Sequence, residues 1–71
     1  MSAKRIDARG LSCPQPVVLT DRAIAAGDTD LEILVDNETA RENVMRLAAK
    51  RGFKADTRSE GEDILILAAK S

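Results

Sequence analysis

The chain contains one cysteine, Cys13, which begins a Cys-Pro-Gln-Pro motif. Prolines are tolerated in the first turn of a helix, because the N–H groups there have no intrahelical partner. With Cys13 as the N-cap, Pro14 and Pro16 occupy that turn, and the free N–H groups are those of Gln15 and Val17. These donors and the positive end of the helix dipole stabilise negative charge on sulfur. The motif therefore predicts a nucleophilic thiolate or persulfide. The alternative is that Cys13 is a small apolar residue in an ordinary helix start.

The groups that usually accompany a catalytic cysteine are missing from the sequence. There is no histidine, so a Cys–His pair for acyl transfer cannot form, and there is no second cysteine for a Cys-x-x-Cys redox cycle. One cysteine with scattered carboxylates does not match a structural zinc site. We therefore expect no metal and no cofactor. A thiolate without a base or a resolving cysteine is suited to accept a group, such as a sulfane sulfur, and to pass it on.

Length and composition narrow the remaining classes of function. We expect the 71 residues to form a single domain, 1–71, stabilised by packing alone. The net charge of −1 and the single aromatic residue, Phe53, argue against direct binding of nucleic acid. No apolar run is long enough to cross a membrane, and the N-terminus is too short and polar for a signal peptide. A lone cysteine without an export signal indicates the cytoplasm.

Hydrophobic periodicity and turn residues predict two helices and four strands. The first half of the chain contains a predicted strand at 4–8, a helix at 14–26 that is terminated by Gly27, and a strand at 31–35. A second helix follows, capped by Asp36 or Asn37 and running to about residue 51. The last two strands are an edge strand at 53–59 and a strand at 63–69, joined by a hairpin turn at Gly61. The last strand is apolar on both faces, as expected of a central strand. In the first helix, Ala26 falls on the predicted buried arc, as does Leu47 in the second.

The order β-α-β-α-β-β predicts an α/β (α+β) two-layer sandwich, in which two helices cover one face of a four-stranded mixed sheet. The two strands joined through a helix should be parallel, so both helices begin at the same end of the sheet. Cys13 should therefore lie beside Asp36 and Asn37, which either cap the second helix or belong to the site. Arg9 either offers a positive charge to the sulfur or is a solvated surface arginine.

Two surfaces remain candidates for a partner. Val18 lies outside the buried arc of the first helix and should be exposed near Cys13, where Gln15 and Arg22 complete a small docking patch. The alternative is a tolerated surface valine. The uncovered sheet face carries Leu34 and residues of the last strand, and is either a second partner surface or a partly apolar exterior.

Residues 7–16, which read Asp-Ala-Arg-Gly-Leu-Ser-Cys-Pro-Gln-Pro, resemble the signature of the TusA/SirA-like sulfur carrier family. The resemblance spans nearly the whole chain and implies the same β-α-β-α-β-β sandwich. It implies that Cys13 accepts sulfur as a persulfide and relays it, with Gly10, Pro14, Gln15 and Pro16 as supporting motif residues. The implied partners are a protein sulfur donor (a cysteine desulfurase or a rhodanese-like protein) and a protein acceptor in tRNA thiolation, molybdenum cofactor synthesis or sulfur oxidation. The implied activity is that of a sulfurtransferase that relays a persulfide, rather than that of a classical turnover enzyme.

The segment after the second predicted strand departs from the tRNA-pathway members of that family. They carry Asp-Asp-Pro, whereas this chain has Asp36-Asn37-Glu38. The segment looks more like the N-terminal domain of YedF-type proteins, which are linked to selenium metabolism. Two alternatives therefore stand beside the sulfur carrier: a selenium-delivery protein that uses the same cysteine, and a non-catalytic interaction or regulatory module in which Cys13 is structural.

Overall fold

The structure is a computed structural model that describes residues 4–11 and 15–70. The elements follow the predicted order and are β1 (Lys4–Asp7), α1 (Gln15–Ala25), β2 (Asp30–Val35), α2 (Glu38–Lys50), β3 (Phe53–Glu60) and β4 (Asp63–Lys70). Their ends lie within one residue of the predicted ones. Pro14, the predicted first residue of the first helix, lies outside the described residues. The Ala8 N–H donates to the Leu34 carbonyl at 2.8 Å, which continues the β1–β2 pairing beyond the last residue of β1.

The four strands form one mixed sheet in the order β1-β2-β4-β3. β1 and β2 are parallel, with Ile6 opposite Ile33. β4 runs antiparallel to both β2 and β3, and Ile66 lies opposite Ile33. The prediction of β3 as an edge strand and β4 as a central strand is confirmed. Burial on both faces is what the apolar sequence of β4 requires.

The core lies between one face of this sheet and both helices. Its members alternate along the strands and recur every three or four residues along the helices, as both periodicities require. They include Ile6, Ile33, Val35, Phe53 and Ile66 from the sheet, and Ala23, Ala40, Val44 and Ala48 from the helices. The two-layer α+β sandwich is confirmed. Among the predicted core positions, Ala26 is exposed because it follows the last residue of α1, and Leu47 is half-buried.

Glycines end the elements where the sequence predicted turns. After α1, the Gly27 N–H donates to the Ile24 carbonyl at 3.1 Å, and the Asp28 N–H donates to the Ala23 carbonyl at 3.2 Å. This is the Schellman arrangement, which satisfies carbonyls at the end of a helix. The β3–β4 hairpin turns at Gly61, whose φ of +64° is a conformation that glycine adopts without a steric penalty.

The sheet face away from the helices is less apolar than its sequence suggested. Leu34 lies opposite Leu65, and both are buried, with exposed fractions of 5% and 4%. The flanking strands place Asp7 and Arg58 in the same row. Among the described residues, Val18 is the one large apolar side chain that is exposed, at 41%. Within the described residues, this face therefore carries no exposed large apolar side chain. No helix in the described part of the chain is long and apolar enough to span a membrane.

Candidate functional site

A hydrogen bond joins the ends of the two parallel strands. The Gly10 N–H, three residues beyond β1, donates to Asp36 Oδ2 at 2.8 Å, immediately after β2. Gly10 has a φ of +74°, so the chain turns sharply at this residue. The prediction that both strands end at the same end of the sheet is confirmed. The segment that leads to Cys13 is thereby tied to β2 by a charged acceptor.

Ser12, Cys13 and Pro14 lie outside the described residues, and both segments that flank them are described. On the N-terminal side, Gly10 is held by Asp36. On the C-terminal side, Gln15 is exposed and Pro16 is fully buried. The Pro16 carbonyl accepts a hydrogen bond from the Thr20 hydroxyl at 2.9 Å. Both segments are thus fixed by contacts within the fold.

Thr20 was not predicted to form a hydrogen bond near the motif. Its side chain is fully buried on the inner face of α1. A buried hydroxyl without a hydrogen-bond partner destabilises the fold. Here the carbonyl four residues earlier accepts a hydrogen bond from the hydroxyl. The sequence feature that indicates this hydrogen bond is a threonine on the apolar stripe of a helix, four residues after a motif proline.

The capping prediction is confirmed for Asn37 and wrong for Asp36. Asn37 is the N-cap of α2, and its Oδ1 accepts from the Ala40 N–H at 2.7 Å. Its Nδ2 donates to Asp36 Oδ1 at 3.0 Å. Asp36 lies one residue too early to cap, and its carboxylate instead accepts from Gly10 and Asn37. The helix start and the turn after β1 are therefore connected through one carboxylate.

Arg9 is an exposed surface arginine, as one of its two predicted alternatives has it, and two carboxylates pair with it. Its Nε and Nη2 each donate to an oxygen of Asp7 at 2.9 Å. Its Nη1 donates to Asp63 Oδ2 at 3.2 Å. The guanidinium thus links the end of β1 to the start of β4. The pairing of Asp63 with Arg9 could not be predicted from the sequence, because it depends on the β2–β4 register.

We call Asp7, Arg9, Gly10, Asp36 and Asp63 the strand-end cluster. The Arg9 side chain, followed by its backbone N–H, lowers the pKa of Asp7 from 3.8 to about 2. The Gly10 N–H, followed by the Asn37 amide, lowers the pKa of Asp36 below its usual range. Hydrogen bonds to Asp7 and then Asp63 raise the pKa of Arg9. Asp7, Arg9 and Asp36 are therefore ionised at neutral pH.

A shallow groove runs along the exposed side of α1, next to the motif. It is lined by Gln15, Val18, Leu19 and Arg22. The structure thus brings together the three residues predicted to form a docking patch, and the exposure of Val18 is confirmed. Half-buried Leu19 was not predicted to take part. Within residues 4–11 and 15–70, no group of acidic side chains is arranged to hold a metal ion.

Comparison with known proteins assigns this chain to a family. The family model described as sulfurtransferase TusA matches residues 4–70. The chain belongs to the TusA family. A role as a sulfur carrier or sulfurtransferase follows from that membership. The fold is similar to the crystal structure of a SirA-like protein from Desulfitobacterium hafniense, with a TM-score of 0.83, 29% identity and coverage of 92% of this chain and 93% of the other. No curated protein is significantly similar in sequence.

The Asp36–Gly10 hydrogen bond leads to a first prediction for this TusA-family chain. Asp36→Ala removes the acceptor, so exchange of the Gly10 amide proton with solvent should accelerate, as measured by NMR. Asp36→Asn keeps a side-chain carbonyl and should give an intermediate rate. Amides in the centre of α2 serve as the internal control and should change little in either variant. Unchanged Gly10 exchange in Asp36→Ala would show that the turn does not depend on this carboxylate.

The lowered pKa of Asp7 leads to a prediction on acid stability. A carboxyl group whose pKa is depressed by folding stabilises the native state above its unfolded pKa of about 3.8, and loses that effect as the pH falls through about 2. The difference in unfolding free energy between wild type and Asp7→Asn should therefore shrink from pH 5 to pH 2. Urea titrations at several pH values measure it.

The matched control for this experiment is the same pair of proteins carrying Arg9→Gln. Without the guanidinium, the pH-dependent effect of Asp7→Asn should be smaller, with the backbone N–H of residue 9 accounting for part of what remains. An equal pH dependence in both backgrounds would mean that Arg9 does not cause the shift.

Proposed function

We propose that this TusA-family chain carries sulfur as a persulfide on Cys13, receives it from a protein donor and passes it to a protein acceptor. The observation that supports this most directly is the family match together with the sequence, since Cys13 is the only cysteine in the chain. Gly10, Pro14, Gln15 and Pro16 support the motif. Among them, Gly10 and Pro16 are fixed by contacts of the described fold.

The start of α1 supplies an electrostatic reason for this assignment. Pro16 has no N–H, so the free donors of the first turn are those of Gln15 and Val17. The first turn contains no acidic residue, in contrast to that of α2, which contains Glu38. The described start of α1 therefore offers free N–H donors and the positive end of the helix dipole to an anion, and its first turn holds no carboxylate that competes for them.

The proposed transfer is balanced without a cofactor or an external oxidant. The Cys13 thiolate attacks the outer sulfur of the donor's persulfide, a new S–S bond forms on Cys13, and the donor's sulfur leaves as a thiolate. In the second step a nucleophile of the acceptor attacks the outer sulfur of the Cys13 persulfide, and Cys13 leaves as a thiolate. A carrier of this kind needs neither a histidine base nor a second cysteine.

The groove of Gln15, Val18, Leu19 and Arg22 is the surface that we assign to partner docking. It lies at the start of the helix that follows Cys13, and it contains the exposed apolar side chain of Val18. A cysteine desulfurase or a rhodanese-like protein is the donor class that we propose. A cysteine that must stay reduced when it is not loaded fits the cytoplasm, where we place this reaction.

The segment that suggested selenium has a structural explanation. Asn37 caps α2, and Glu38 forms an ion pair with Arg41 at 2.7 Å. Both residues are therefore accounted for by the start of a helix, and they supply no separate reason to prefer selenium as the cargo. Sulfur is the cargo that we propose.

Cys13→Ser should abolish sulfur loading and leave the fold nearly intact, because a sulfur that partners must reach contributes little packing. Incubation with a desulfurase and labelled cysteine, followed by non-reducing gel electrophoresis, measures the label that stays on the protein. Urea unfolding of the same variant measures its stability. Loading of the serine variant would contradict the assignment. Unfolding of that variant would instead favour a structural cysteine and a non-catalytic interaction module.

The docking assignment predicts different effects with two donors. Val18→Asp places a charge on an exposed helix position, so stability should change by no more than about 0.5 kcal/mol. Sulfur transfer from a protein persulfide donor should slow much more than transfer from a small-molecule persulfide. Val18→Ala is the matched control and should lie between wild type and Val18→Asp. Equal slowing with both donors would mean that Val18 affects the reactivity of Cys13 and not the docking of the donor protein.

A further inference from the structure

The edge strand β3 has one unpaired backbone edge and a series of charged side chains that alternate in sign. It is the terminal strand of the sheet, and its eight residues, Phe53–Glu60, pair with β4 on one side without a break in register. No proline interrupts it. An exposed strand edge of this kind is a template for another strand.

The charges on β3 alternate in sign along one face of the strand. Lys54, Asp56, Arg58 and Glu60 occupy every second position and point to the sheet face opposite the helices, since Phe53 and Ala55 pack against the core. All four are exposed. Within the described residues, none of the four takes part in an ion pair. Four unpaired charges in alternating order thus lie on one open edge.

From this order of charges we propose that β3 pairs antiparallel with β3 of a second copy of this chain, with the two-fold axis at Thr57. In that register Lys54 of one copy lies opposite Glu60 of the other, and Asp56 lies opposite Arg58. Symmetry repeats each pairing, so every charge on the edge meets an opposite one. Directly opposed residues are the pairs that interact across antiparallel strands. The two sheets then join into one.

The neighbouring registers are disfavoured by the same charges. A slip of two residues in one direction places Asp56 opposite Asp56 and Lys54 opposite Arg58. A slip in the other direction places Arg58 opposite Arg58 and Asp56 opposite Glu60. A slip by one residue brings side chains of opposite faces together. Charges at a strand edge usually prevent association, and here they disfavour the registers two residues to either side of the one centred on Thr57.

The helix layer also fits this arrangement. The start of β3 is covered, because Phe53 and Ala55 pack against the core, whereas Thr57 and Ser59 on the same face are exposed. The axis at Thr57 places the covered start of one strand beside the uncovered end of the other. The two α2 helices are therefore offset along the strands. This inference does not rest on the proposed function of Cys13.

Disulfide trapping tests the register. In the Cys13→Ser background, Thr57→Cys places two thiols directly opposite each other, with Cα atoms about 5 Å apart, a distance that a disulfide spans. Ser59→Cys is the matched control, since Ser59 is also exposed and lies on the same face. Its two copies lie four residues apart along the strands, about 14 Å, which is too far. Thr57→Cys should form a covalent dimer under mild oxidation much faster than Ser59→Cys. Equal rates, or no dimer from Thr57→Cys, would overturn the proposal.

Charge exchange tests the pairing without a cross-link. Sedimentation equilibrium of the wild type over a concentration series should show the mass rising from 7.7 kDa towards twice that value. Asp56→Arg and Arg58→Asp should each weaken the dimer about tenfold, because each turns two attractive pairs into repulsive ones. The double variant Asp56→Arg, Arg58→Asp restores opposite signs and should restore the dimer. A wild type that stays at 7.7 kDa, or a double variant as weak as the single ones, would contradict the pairing.

Discussion

β1 and β2 run side by side in the same direction, and the remaining geometry of the site depends on this pairing. Parallel strands must be connected by a crossover, and α1 supplies it. The carboxyl ends of both strands are therefore neighbours, which allows the Gly10 N–H to reach Asp36 at 2.8 Å. The same carboxylate accepts from Asn37, the N-cap of α2. One acidic side chain thus connects the segment before Cys13 to the start of the second helix.

The strand-end cluster extends this connection to the antiparallel half of the sheet. Arg9 bonds to Asp7 on β1 and to Asp63 at the start of β4. Arg9 and Asp7 are about half exposed, so solvent screens the attraction between them, and we regard the cluster as a means of orientation more than of stability. Its hydrogen bonds hold the residues before Cys13 relative to two strands. The buried Pro16 and Thr20 hold the residues after it.

The sequence was sufficient for the fold because its signals agree with each other. Alternation predicted β2, apolar residues on both faces predicted a central β4, and Gly27 and Gly61 marked a helix end and a turn that the structure has. The exposure of Val18 followed from helical periodicity alone. The partners of Arg9 could not be predicted, since Asp63 is distant in sequence and its position depends on a strand register. The bond from Gly10 to Asp36 joins a backbone N–H to a side chain, and residue types alone do not reveal such a bond.

These contacts order both segments that flank Cys13, and family membership gives the chain a role in sulfur transfer. We propose that the cargo is one sulfane sulfur on the Cys13 side chain. Mass spectrometry of peptides from the wild-type protein, after reaction with a cysteine desulfurase and free cysteine, measures this directly. We expect one added sulfur atom on the peptide that contains Cys13, and its loss on treatment with a thiol reductant. An unmodified Cys13 peptide after full turnover of the desulfurase, or added sulfur on any other residue, would contradict it.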